Sequence, residues 1–188
     1  MKLKAYLTIT VRDDLTGKVL SEHRQEVHSY VQQIIDLMYR HMASANYGIK
    51  DDTGGTQTNT PSVDDWRSSV IAGYPKAPIC VGTDDTAVTI SDYQLAAAIA
   101  NGSGAGELLY QAANYIAPAT VGSRRKMLIN RTFNNQSGGT ITVKEAALFT
   151  WGQVPAKHFM LVRDVLDTPE AIAHNTSAVF QYEIYVEV

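Results

Sequence analysis

Residues 129–151 read INRTFNNQSGGTITVKEAALFTW, and residues 158–164 read HFMLVRD. Ile129 and Phe133 lie before a polar, glycine-bearing centre, and Ile141, Val143, Ala147 and Phe149 follow it. Apolar and β-branched residues spaced by two mark half-buried strands. Asn134, Asn135, Ser137, Gly138 and Gly139 supply turn residues, the glycines being free to take positive φ. The stretch predicts a β-hairpin followed by a further strand. It contains no catalytic pattern, and so raises the question of what is built rather than which reaction is run.

The same alternation recurs at both ends of the chain. Leu3, Ala5, Leu7, Ile9 and Val11 share one face of a first strand; Lys4, Tyr6, Thr8 and Thr10 share the other. Residues 13–18, with Gly17, form a turn into a second strand near residues 19–25. In the last strand Ala178, Phe180, Tyr182, Ile184 and Val186 oppose Ser177, Gln181, Glu183 and Glu187. Further strands are predicted at residues 79–82, 96–99, 107–115 and 158–165, with turns at 83–86 and 167–169. Many short strands separated by turn residues predict a mainly β fold: an antiparallel β-sandwich, jelly-roll-like domain or barrel.

One amphipathic helix is predicted, over residues 30–43. Val27, Tyr30, Val31, Ile34, Ile35, Met38 and Met42 carry the helical spacing, and Leu37 widens the stripe. Ser29 is the expected N-cap, with Gln32 closing a capping box. The expected packing is apolar face down on a sheet.

The 188 residues fit a single domain, 1–188. Residues 44–77 stand apart, rich in Ser, Thr, Asn, Asp and Gly around DDTGGTQTNTPS. Few of them offset the entropy of ordering by burial, so a long polar loop or assembly arm is expected, ordered by neighbours. Within it, residues 63–74 hold Trp66, Val70, Ile71 and Tyr74 and predict a short docking helix.

The formal net charge is -3 and the pI about 5.9, without a basic tail, which argues against general nucleic-acid binding. The short cluster Arg124-Arg125-Lys126 reads as a solvated strand entry. Cys80 is alone, within the apolar run Ile79-Cys80-Val81, and reads as a buried structural thiol. No stretch resembles a signal peptide or is apolar enough to span a bilayer.

Chemistry finds no purchase. The loop Asn101-Gly102-Ser103-Gly104-Ala105-Gly106 lacks the Lys-Ser/Thr of a phosphate loop and is predicted to lead into a strand. Four Asp-Asp pairs read as turn residues, with Asp84, Asp85 and Asp92 the best grouping should a cation bind. His23, His28, His41, His158 and His174 fit no HExxH or zinc-finger spacing, and no GxSxG occurs. No catalytic, cofactor or metal residue is assigned.

Three segments carry a resemblance. Val81-Gly82-Thr83 through Asp92-Tyr93 and Leu95 forms the first. Arg131, Phe133, Asn135, Ser137-Gly138, Ile141, Val143, Glu145 and Leu148 form the second, and Met160 with Arg163-Asp164-Val165 the third. In this order they resemble a recurrent type of tailed-bacteriophage virion protein, over about two-thirds of the chain. Asp84-Asp85 and Ala146-Ala147 stand where that type has glycine. The resemblance implies a non-enzymatic structural component, a symmetric oligomer of the neck, collar or tail, located in the virion and assembled in the host cytoplasm. A receptor- or carbohydrate-binding module of a tail fibre, or a capsid decoration protein, are the alternatives. Expected partners are copies of itself and other virion proteins, with neither nucleic acid nor membrane. Tyr47, Trp66 and Tyr74, large aromatics in polar context, are the candidate interface residues.

Overall fold

A computed structural model of the chain describes residues 2–58, 66, 71–153 and 156–187. It is mainly β, with one helix. In chain order the elements are β1 (Lys2–Asp13), β2 (Val19–Glu26), α1 (Gln33–Met42), β3 (Ile49–Lys50), β4 (Thr56–Gln57), β5 (Ile79–Gly82), β6 (Leu109–Val121), β7 (Arg124–Asn135), β8 (Ile141–Gln153), β9 (Ala156–Ile172) and β10 (Thr176–Glu187). A five-stranded sheet runs β2-β1-β10-β7-β6, a three-stranded sheet β5-β8-β9, and β3-β4 form a small pair; all strand pairs are antiparallel.

The predicted N-terminal hairpin is present. The Asp13 carboxylate accepts from the backbone of Leu15 and Thr16 and from the Thr16 hydroxyl, and Gly17 takes φ +68°. The hairpin predicted over residues 129–149 is not. β7 pairs with β10 and β6, whereas β8 pairs with β5 and β9, so the glycine turn joins two different sheets. Asn135 makes this corner. Its Nδ2 donates to the carbonyls of Gly139 (2.7 Å) and Ile172 (2.6 Å), and its Oδ1 accepts from the Ser137 amide. Turn chemistry is the same for a hairpin and a corner; only the tertiary pairing separates them.

Both sheets contribute to one core. Leu7, Ile9, Phe133, Ala178, Phe180 and Tyr182 come from the larger sheet; Ile79, Val81, Val143, Leu148, Phe159 and Ile172 come from the smaller. Phe133 packs edge-on to Tyr110 and to Phe180, the favoured aromatic geometry.

Two further expectations differ. Residues 167–169 are no turn: β9 runs through them, and the extra length is taken up by a register shift against β8 between Val143 and Glu145. Pro169 is tolerated there because β9 is an edge strand. Residues 96–99 form no strand, only an isolated bridge between Gly82 and Ala98. Within the predicted arm, β3 and β4 pair, and Ile49 and Asp51 are fully buried. The docking helix predicted over residues 63–74 falls mostly on residues outside those described.

Candidate interaction surface

Five of the residues that carry the resemblance, Gly82, Asp92, Arg131, Glu145 and Arg163, form two buried nodes that hold loops to the sheets. In the first, Arg163 of β9 donates from Nε to Glu145 (2.8 Å), from Nη1 to Asp92 (2.8 Å) and from Nη2 to the Thr86 carbonyl (3.1 Å). Glu145 in turn accepts from the amides of Ala96 and Ala97. Gly82 lies against this carboxylate, and a Cβ there would also meet the Ala97 carbonyl at 2.6 Å. Thus Gly82, Asp92, Glu145 and Arg163, far apart in sequence, fasten the loop over residues 83–97 to β8 and β9. Asp164 points the other way, as neighbours on a strand do.

In the second node, Arg131 of β7 is fully buried, with no carboxylate partner among the described residues. Its five N–H groups reach five carbonyls: Gln111 (2.9 Å), Ala77 (2.8 Å), Ile79 (3.2 Å), Tyr74 (2.7 Å) and Ile71 (3.4 Å). Only the planar fork of arginine offers that many donors in fixed directions. It pins residues 71–79 to the five-stranded sheet.

Several other polar clusters find their partners within the domain. Asp51 accepts from Thr53, Gly55, Gln57 and Lys157. Burial works to raise its pKa, but the hydrogen bonds from Thr53, Lys157 and Gln57 outweigh burial and hold it at about 2. Asp52 pairs with Lys76 at 2.8 Å and lies 3.4 Å from His158 Nδ1, which ties the two ends of the arm together. Asp85 pairs with Lys144 and Asp92 with Arg163, and no group of three metal-ligating side chains occurs among the described residues. The Gly104 amide is already taken by the Glu107 carboxylate, which leaves it no role for an anion. Arg124 and Lys126 are neutralised by Glu187 and Glu183. The Cys80 thiol donates to the Pro75 carbonyl, and burial pushes its pKa up to about 12.

A contiguous apolar surface left open lies on α1. Residues 29–31 do not cap the helix, as Ser29 is expected to. They run extended along β9: the Arg163 amide donates to Ser29, Tyr30 bridges Val162, and the Val31 amide donates to Leu161. Backbone pairing with β9 overrides the local capping signal, and Gln32 becomes the N-cap, without a side-chain cap bond. The helix ends at Ala43, with Ser44 at φ +49° in the left-handed C-terminal position.

This entry sets which face points inward, and it keeps only part of the expected stripe there: Val27, Val31 and Leu37 are buried, and Tyr30 and Ile34 pack on the core. Gln33, Leu37 and Arg40 are buried. Ile35 (63% exposed), Met38 (45%), Tyr39 (52%) and Met42 (83%) face outward at i, i+3, i+4 and i+7. Ile35, Met38 and Met42, the rest of the expected stripe, are therefore turned toward solvent. Periodicity places residues on a common face but does not say which face meets the sheet. The available signal is that Ile34 and Leu37 make the helix apolar on two sides, while its own domain covers one.

Two of the three predicted interface aromatics join this surface. Tyr47 packs edge-on to Tyr39, with centroids 5.3 Å apart, and Trp66 lies 5.9 Å from the His41 ring; both are exposed. Tyr74 does not join it. Its hydroxyl meets His158 Nε2 at 2.5 Å, its ring lies near Trp151, and its carbonyl accepts from Arg131.

No protein-family model matches the chain, and neither a curated protein nor a solved structure matches it. No helix among the described residues is long and apolar enough to cross a membrane.

Proposed function

We propose that this chain is a non-enzymatic structural component of a tailed-phage particle. It is a β-sandwich in this reading, with the two sheets as its layers, and it assembles as a symmetric oligomer in the neck, collar or tail. The observation that carries the proposal is the outward apolar face of α1. A monomer scatters exposed apolar residues singly, whereas a contiguous set of Ile35, Met38, Tyr39 and Met42, extended by Tyr47 and Trp66, is costly to leave wet. Methionine and aromatic side chains are the types enriched at the centres of interfaces. The mechanism is burial of this face against a neighbour, while the shared core and the Arg131 and Arg163 nodes keep the block rigid.

The double substitution Ile35→Glu with Met42→Glu tests it. The protein should fold with an unchanged melting temperature and be left out of particles when it replaces the natural chain. Normal incorporation of the folded variant would sink the proposal.

A further inference from the structure

The larger sheet has an uncovered end. On its inner face Ala5, Ile129 and Tyr182 are the last residues buried in the core. The next residues on β1, β7 and β10 are Leu3, Met127 and Ile184. Leu3 is 57% exposed, and the other two are half-buried. A groove of about 300 Å³ lies there, lined by Leu3, Pro118, Arg125, Met127, Ile184 and Val186 among others. The five-stranded sheet therefore extends beyond its full cover among the described residues: Met127 and Ile184 pack only partly against the core, and Leu3 lies open beside them. A helix laid across such a face is the usual cover for a sheet.

The same chain carries an apolar helix face in need of a sheet. That face cannot reach its own groove, because the opposite side of α1 is packed on β9 and β3 and holds the stripe pointing away. Charge favours the match. Arg125 on the groove is exposed; among the described residues it forms no ion pair and donates only to the Thr120 hydroxyl at 3.1 Å. Asp36 on the flank of α1 is half-buried and forms no ion pair or side-chain hydrogen bond with a described residue, and burial raises its pKa.

We propose that α1 of one copy docks into the sheet-end groove of a second copy, with Ile35, Met38 and Met42 on Leu3, Met127 and Ile184, and Asp36 meeting Arg125. This rests on the assembly reading and deepens it by naming both halves of the contact. The two halves are different surfaces, so the contact is heterologous. Repeated head to tail it closes into a ring where the rotation allows.

Mixing decides the matter. Met42→Glu disables the helix half and Leu3→Glu the groove half, both at exposed positions that the fold does not need. Light scattering after size exclusion should give an oligomer for the full-length natural chain and monomers for each variant alone. An equimolar mixture of the two variants should give a 1:1 dimer and nothing larger, because one intact helix and one intact groove remain. Asp36→Arg should weaken association at least tenfold, and adding Arg125→Asp should restore it. If the natural chain forms an oligomer and either variant does too, this contact is wrong while assembly stands. If both variants are monomeric but the mixture stays so, the contact is not heterologous and the proposal fails. A natural chain monomeric at all concentrations overturns the contact; if it is also missing from particles, the assembly reading falls with it.

Discussion

Asp164 is the residue whose environment suits it least. It is 2% exposed, its Oδ2 has no hydrogen-bond partner, and its other oxygen accepts weakly from the His28 amide at 3.4 Å. Burial raises its pKa to about 6, against the lowering effect of the His28 and Ser29 amides. The folded state thus binds a proton that the unfolded chain, with a pKa of 3.8, releases. Stability contributed by this group is greatest below pH 4, falls as pH rises from about 4 to 6, and stays low above that. A shift of about two units corresponds to about 2–3 kcal/mol. Asp164→Asn should therefore stabilise the protein by about 1–3 kcal/mol at pH 7 and by nearly nothing at pH 4, read from urea midpoints. An equal effect at both pH values would contradict the assignment. Arg131 makes the opposite case, a buried cation held by carbonyls. Lysine reaches fewer of the five, so Arg131→Lys should leave at least two carbonyls unpaired at about 1–3 kcal/mol each. A urea midpoint that does not move would show that those carbonyls are satisfied otherwise.

Among the elements, α1 separates what sequence reveals from what it conceals. Its existence was legible in the spacing of Ile34, Ile35, Met38 and Met42, and so were the strands at both chain ends. Its orientation was not, because the pairing of residues 29–31 with β9 fixes the rotation, and that contact spans more than 130 residues of chain. The corner at Asn135 was concealed for the same reason, since a glycine-rich turn does not record which strands it will join. Tyr47 and Trp66 were singled out as aromatics in polar context; Ile35, Met38 and Met42 were read as core, and Tyr39 was not singled out. Substitution separates the two faces. Leu37→Ala should cost about 2–5 kcal/mol, as for a filled core position, whereas Met38→Gln should stay within about 0.5 kcal/mol in the isolated chain. Comparable losses at both positions would place Met38 inside.

For the whole molecule, the three sequence segments that suggested a virion protein are explained as fasteners. Gly82, Asp92, Glu145 and Arg163 lock one loop, Arg131 locks another, and Asn135 turns the chain between sheets. These contacts hold loops and sheets together, which suits a block that repeats in an assembly. What is left over includes the apolar surface on α1, which we propose is covered by a neighbouring copy. Electron microscopy of particles carrying this chain tests that most directly. The account predicts several symmetry-related copies in the neck, collar or tail, each with Ile35, Met38 and Met42 buried beneath another chain. Particles lacking the chain, or holding it with the outer face of α1 open to solvent in every copy, would contradict it.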